Sequence, residues 1–155
     1  MKASDWEQVR AIYLEGIRSG HSTFETEAPS WEKWDEGHLQ FARIVMRDGE
    51  MVLGWAALSP VSKRYVYRGV AEVTVYVSEN AQGRGIGRAL LEALIDESEK
   101  NDIWTLQASI FPENTASVRL HLRCGFREVG RRERIAMLKG VWRDTLLFEH
   151  RAADR

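Results

Sequence analysis

Cys124 is the single cysteine in 155 residues, which rules out an internal disulfide and any zinc site built from several thiolates. No apolar run approaches the roughly 18 residues needed to cross a bilayer. Met1-Lys2-Ala3-Ser4-Asp5-Trp6-Glu7 carries no signal-like apolar stretch, so the expected compartment is the cytoplasm. An excess of one charge is also missing. With 22 Lys+Arg against 23 Asp+Glu the net charge is −1, so no overall field would draw the chain to nucleic acid or to an anionic membrane, and neither is expected as a partner. Any anion site must be local. His21, His38 and His150 show no metal-ligand spacing, and no metal is expected. Internal repeats and low-complexity tracts are absent. What remains is 44% apolar and 29% charged, an ordinary globular composition, at a length that suits one domain over residues 1–150 with a frayed tail at 151–155. Six tryptophans imply large aromatic contacts.

Local patterns set an order of elements. Ser4 and Glu7 have capping-box spacing, and Val9, Ile12, Tyr13 and Ile17 recur at helical period, predicting a helix from about Asp5 to Arg18. Gly20 to Pro29 reads as a loop, and Ser30 caps a short helix carrying Trp31 and Trp34 that fades near Gly37. Phe41 to Arg47 and Met51 to Leu58 flank Asp48-Gly49, which predicts a hairpin. After a basic connection over Pro60 to Arg68 comes Val70 to Val77, β-branched and aromatic, the strongest strand in the sequence. Ile86, Leu90, Leu91, Leu94 and Ile95 mark a helix ending near Lys100. Trp104 to Ile110 reads as a strand, Asn114 to Arg123 as a helix closed by Gly125, and Phe126 to Ile135 and Trp142 to Glu149 as strands around Gly140. The expectation is a mixed-sheet α/β domain in which Val70 to Val77 and Trp104 to Ile110 run parallel through a right-handed crossover.

Between the strongest strand and its helix lies Gln82-Gly83-Arg84-Gly85-Ile86-Gly87. A glycine-rich turn into a helix start presents unpaired N–H groups and the positive end of the helix dipole, and Arg84 and Arg88 can add charge-assisted contacts to a diphosphate. The glycines are equally consistent with a tight turn alone. The spacing is neither a dinucleotide fingerprint nor a P-loop, because Gly87 is followed by Arg88 and no Lys-Ser/Thr pair is present.

Gln82-x-x-Gly85-x-Gly87 after a strand resembles the acetyl-coenzyme A signature of the GNAT (Gcn5-related) N-acetyltransferases. Asn114-x-x-Ser117-x-x-Leu120-His121-x-x-x-Gly125-Phe126 resembles the second characteristic stretch of that family. The likeness covers nearly the whole chain. Ser22 to Glu27, Tyr67-Arg68 with Glu72 to Val77, and Gly140 to Asp144 are similar to the phosphinothricin/methionine sulfoximine acetyltransferase subfamily. One departure is that only Met1-Lys2-Ala3 precedes the first helix, where the family begins with a strand.

The resemblance implies a GNAT fold of six to seven strands with helices on both faces and splayed parallel strands forming an acetyl-CoA cleft. It implies Glu72 as general base, Val75, Tyr76 and Val77 as backbone partners of the pantetheine arm, Gln82 to Arg88 as the diphosphate seat, and Asn114 as a further cofactor contact. The alternative for Glu72 is a structural ion pair with Arg68 or Arg64, and Asn114 fits equally a helix N-cap. Where many relatives carry a tyrosine acid, the matching position is His121, which either protonates the thiolate or packs against the cofactor. Cys124 reads as a small buried residue, not a nucleophile.

For the acceptor, Arg68 can pair with an α-carboxylate while Phe24 and Trp55 supply apolar walls; the alternative makes the aromatics core and Arg68 a solvated charge. The expected reaction is direct acetyl transfer to the amine of a small amino acid or analogue, by a homodimer as the subfamily resemblance implies. Other acceptors (a polyamine, an aminoglycoside, a protein N-terminus) and a non-catalytic CoA-binding module are the competing readings.

Overall fold

The computed structural model describes residues 1–154 and contains one six-stranded mixed sheet in the order β1-β2-β3-β4-β6-β5. The strands are β1 Ile44–Asp48, β2 Met51–Pro60, β3 Val70–Val77, β4 Thr105–Ile110, β5 Arg127–Leu138 and β6 Val141–Arg151. The helices are α1 Trp6–Ser19, α2 Trp31–Gly37, α3 Ile86–Lys100 and α4 Thr115–Arg123. All neighbours pair antiparallel except β3 and β4, which are parallel as the crossover rule requires.

Apolar residues on the two faces of the sheet feed two cores. Leu90, Leu91, Leu94 and Ile95 of α3 pack on Ala56, Leu58, Ala71, Val73 and Leu106. On the opposite face Val9 and Ile12 of α1 and Trp34 of α2 pack on Val52, Trp55 and Ala57. Helices therefore cover both faces, and β3 alternates between them: Ala71 and Val73 belong to the α3 core, while Tyr76 packs on the α1 side.

One detail of the N-terminus differs from the sequence reading. The Ser4/Glu7 capping box is not formed. The Lys2 N–H donates instead to the Asp5 carboxylate at 2.7 Å, Ala3–Asp5 forms a 3-10 turn ahead of α1, and Arg47 of β1 pairs with Asp5. Asp5 is 3% exposed; burial works to raise its carboxyl, but the Lys2 N–H and Arg47 outweigh that and hold it below the usual range. Ahead of α1 the described residues form no strand, and the Met1 ammonium donates to the Arg43 carbonyl at 3.0 Å beside β1.

The C-terminal hairpin is longer than expected. Arg127–Leu138 absorbs irregularities between Glu128 and Gly130 and between Arg132 and Ala136, and the second hides a continuous strand from a period-two reading. At the end of the chain β6 continues through Arg151, and Ala152 is buried with its N–H bonded to the Trp104 carbonyl at 3.0 Å. Of the tail read as frayed at 151–155, Arg155 lies outside the described residues.

Candidate active site

The pairing of β3 with β4 stops early. Val70, Ala71 and Glu72 face Thr105, Leu106 and Gln107, and no pairing with β4 follows for Val73 to Val77, although the same stretch stays paired with β2 on its other side. Two parallel strands that part leave backbone N–H and C=O groups without sheet partners, and such groups need partners of some kind. A cleft of about 1550 Å³ opens there, lined by Val73 to Val77 on one side and Ala108 to Phe111 on the other.

The closed end of this V is fixed by a close approach. A Cβ on Gly69 would lie 2.2 Å from the Trp104 ring, and the Gly69 carbonyl accepts from the Trp104 N–H at 2.8 Å and the Thr105 N–H at 3.1 Å. Arg68 belongs to this end. Its guanidinium lies over the rings of Tyr65, at 4.2 Å, and Trp104, at 5.2 Å, and donates to the Tyr65 carbonyl at 3.2 Å. Arg68 does not line the cleft; its side chain, read from the sequence as either a carboxylate clamp or a solvated charge, is exposed and lies against the apex.

Glu72 stands where the strands part, half-buried in the cleft wall. Burial pushes its carboxyl up, only partly offset by a hydrogen bond from the Ser109 hydroxyl and by the charge of Arg132. A carboxyl raised this way takes up a proton more readily than a solvated one, the property wanted of a general base. Neither Arg68 nor Arg64 pairs with it, which removes the ion-pair alternative for this residue.

The glycine segment forms the far wall. Gly83 and Gly85 have φ of +74° and +75°, a conformation glycine adopts without strain, and a Cβ at either would meet no protein atom within 4 Å. Gly85 is the N-cap of α3, so the amides of Ile86, Gly87 and Arg88 open the helix without intrahelical partners. Gln82, Gly83, Gly85, Ile86, Gly87 and Arg88 line the cleft. The Gln82 amide donates to the Val77 carbonyl at 3.0 Å, tying the loop to the end of β3. Arg88 pairs with Glu92 at 2.8 Å, and Arg84 does not line the wall. Asn114 caps α4, its Oδ1 accepting from the Ser117 N–H at 3.2 Å, and also lines the cleft. The arrangement fits an acyl-CoA: an open, amide-lined seat for a diphosphate, and unpaired strand edges for a polar arm.

His121 also lines the cleft, at 4% exposure, against Phe126 with ring centroids 5.0 Å apart. Its Nδ1 lies 2.7 Å from the Ser117 carbonyl, which only accepts, so Nδ1 carries the proton and Nε2 the lone pair. Burial pushes the imidazole below its ordinary value despite that bond. A neutral Nδ1–H imidazole carries a lone pair and not a proton at Nε2, which bears on the acid role that the sequence reading set beside packing against the cofactor. Cys124 is free and its thiol is raised, chiefly by burial, in keeping with an inert residue.

On the acceptor side Phe24 meets Phe111 edge-on at 4.8 Å, and both line the cleft. Trp55 is 1% exposed and belongs to the α1 core; it stacks beneath Tyr76 at 5.2 Å and supports the wall more than it forms it. The sequence reading did not single out Tyr13, Ser109 or Thr145, all three of which line the cleft. Tyr13 sat within a helical stripe that reads as core. Ser109 carried a signal: it is a polar position in an apolar strand, two residues from Gln107. Burial raises the phenols of both Tyr13 and Tyr76, which meet at 5.1 Å with Thr23 as a shared hydrogen-bond partner, so both stay protonated as neutral donors.

A mixed sheet whose parallel pair splays over a glycine-capped helix is the arrangement that the resemblance implies for a CoA-dependent acyltransferase. The Acetyltransferase (GNAT) family matches residues 6–126, and the chain belongs to that family. It is 31% identical over 153 residues to the phosphinothricin N-acetyltransferase of Streptomyces coelicolor, covering 94% of this chain and 90% of that one. A Brucella melitensis ribosomal-protein-alanine N-acetyltransferase superposes with a TM-score of 0.91 at 29% identity, over 98% of this chain and 97% of the other. The Sinorhizobium meliloti GNAT phosphinothricin acetyltransferase, solved with acetyl-CoA, superposes at 0.88 with 26% identity, over 99% and 86%. The chain is an acetyl-CoA-dependent N-acetyltransferase. No group of three or more His, Cys, Asp or Glu able to hold a metal exists among the described residues, and no helix there is long and apolar enough to cross a membrane.

Proposed function

We propose that the acceptor is a small α-amino acid or analogue, such as phosphinothricin, methionine sulfoximine or methionine sulfone, acetylated directly on its amine. The observation that carries this reading is the half-buried Glu72, raised by burial at the parting of β3 and β4 inside a cleft narrowed by Phe24, Phe111 and Tyr76. In this reading the Glu72 carboxylate takes the ammonium proton, directly or through water. The freed nitrogen attacks the thioester carbonyl carbon, the carbonyl oxygen becomes an oxyanion beside those amides of the Val75–Val77 stretch that face away from β2, and the C–S bond breaks to release the CoA thiolate while the nitrogen gives its second proton to water. A thiolate of pKa near ~8.5 leaves without a protein acid and is protonated by solvent, so His121 shapes the wall.

The ordered amides of Ile86 to Arg88 are proposed to hold the diphosphate, with Gln82 and Asn114 as side-chain contacts. The site of action is proposed to be the cytoplasm. A homodimer is also proposed, on the exposed Val61, Tyr65, Val66 and Tyr67 of the β2–β3 connection, and light scattering on the eluting protein tests it.

The likeness to a ribosomal-protein-alanine N-acetyltransferase favours a second reading, a peptide N-terminus as acceptor. A panel of amino acids, amino-acid amides, peptides and polyamines, assayed by thiol release from acetyl-CoA, separates the two. Turnover confined to peptides would overturn the first reading, and CoA binding without turnover of any amine would overturn both.

A further inference from the structure

With Arg68 committed to the apex, an acceptor carboxylate needs another cation, and the strand register leads to one. Side chains of residues opposite each other across a sheet share a face, as do residues two apart along a strand. Glu72 of β3 is opposite Gln107 of β4, and Ser109 lies two residues on. Ser109 is opposite Leu147 of β6, Thr145 lies two residues back, and Thr145 is opposite Arg132 of β5. The base, the Ser109 hydroxyl that bonds it, the buried Thr145 hydroxyl in the cleft wall, and the Arg132 guanidinium therefore occupy one face.

Three other arginines on β5 and β6 are occupied. Arg131 pairs with Asp144 at 2.5 Å, and the other Asp144 oxygen accepts from the Arg134 N–H at 2.7 Å. Arg143 donates to the Gly20 carbonyl at 3.0 Å, reaches Glu113 at 3.4 Å and covers the Phe111 ring. Arg127 pairs with Glu149 at 2.8 Å. Arg132 makes no salt bridge among the described residues, and its charge is felt at Glu72. It is exposed, beyond Thr145 and outside the cleft wall proper, where a long side chain can swing over the opening.

We propose that Arg132, with Thr145 beside it, is the acceptor-carboxylate clamp of this enzyme. This rests on the amino-acid reading of the acceptor given above. In an α-amino acid a single carbon separates the nitrogen from the carboxylate, so the anion site must lie next to the base that receives the nitrogen. Glu72 and Ser109 supply the ammonium end, and Thr145 and the planar guanidinium fork supply the carboxylate end. The pairing also explains how an uncompensated guanidinium can face the general base: an ordinary salt bridge to Glu72 would hold the base ionised and tied, whereas an incoming carboxylate takes up the Arg132 charge and leaves Glu72 free to accept a proton.

The test uses L-methionine sulfone, its α-amide and 3-(methylsulfonyl)propylamine, three amines whose side chains are uncharged and of which only the first bears a carboxylate. Wild type, Arg132→Ala and Arg132→Lys are assayed at a pH above the Glu72 titration, with KM expressed in free amine, so that the effect of Arg132 on the base does not enter. Wild type is expected to favour the carboxylate-bearing amine. Arg132→Ala should raise its KM about tenfold or more, as for loss of a charge-assisted bond, with KM for the other two amines and for acetyl-CoA unchanged. Arg132→Lys should recover part of the loss, keeping charge without the fork. A full carboxylate preference retained by Arg132→Ala would overturn the clamp alone. Absence of that preference in wild type would overturn the acceptor reading and the clamp with it.

Discussion

Residue 16 of α1 has no side chain because Tyr76 of β3 occupies the place: a Cβ there would stand 2.4 Å from Cε1 and 2.7 Å from Cδ1 of the tyrosine ring. Tyr76 cannot move aside freely, since it is stacked on Trp55 at 5.2 Å and meets Tyr13 at 5.1 Å. Gly16→Ala sets a helix-propensity gain of about 1 kcal/mol against an overpacking cost of about 1–3 kcal/mol. The clash should win. A melting temperature below wild type, with a raised acceptor KM and an unchanged acetyl-CoA KM, is the expected result; an unshifted or raised melting temperature would show that α1 yields without cost.

Glu72→Gln should reduce kcat/KM on the order of a hundredfold, the lower end for a lost general base, with little change in acetyl-CoA affinity. The wild-type rate should fall off on the acid side at a pH above the ordinary carboxyl range, because burial raises this group. The same shift fixes the sign of a stability effect. A carboxyl raised in the folded state contributes stability that is complete below its unfolded pKa and is lost as pH rises through the folded one. Glu72→Gln should therefore be more stable than wild type at neutral pH, with the difference disappearing in acid; denaturant titrations at two pH values measure it.

At Gly85 the prediction concerns the donor. The φ of +75° makes any other residue strained by about 1–2 kcal/mol, but a Cβ would meet no protein atom within 4 Å. Gly85→Ala should raise the KM for acetyl-CoA several-fold and leave the acceptor KM alone. Equal changes in both would place the segment in the architecture of the whole cleft and not in the donor seat.

His121 offers a contrast with a tyrosine acid. His121→Gln should change kcat less than about tenfold and leave the alkaline limb of the pH profile in place, where removal of a true acid would cost a hundredfold or more. Stability carries an independent sign. An imidazole depressed by burial is protonated more readily in the unfolded chain, so wild type should lose stability below about pH 6.5, a loss the variant should lack.

The sequence was most informative where one periodicity ran unbroken. Val70–Val77 and Ile86–Lys100 end where their patterns and flanking glycines indicate, and both walls of the donor seat follow from them. It was least informative where a side chain answers to residues distant along the chain. Ser4 and Glu7 have cap spacing, yet Arg47 on β1 draws Asp5 into that role. Arg68 sits four residues before the base, but Gly69 and Trp104 meet at the apex and turn it onto two aromatic rings. Arg132 reaches the face of Glu72 only through three strand pairings, one beside an irregularity, which no local pattern encodes.

The early parting of β3 and β4 also has a mechanical meaning. Along the sheet, β1-β2-β3 and β4-β6-β5 are two panels whose backbones are joined by three residue pairs and by the Gly69–Trp104 apex, with the α3 core packed across both. A relative twist of the panels would change the width of the cleft directly. A donor lodged between them bridges the panels, so that heat or protease must then defeat both together where in the free enzyme either can loosen first.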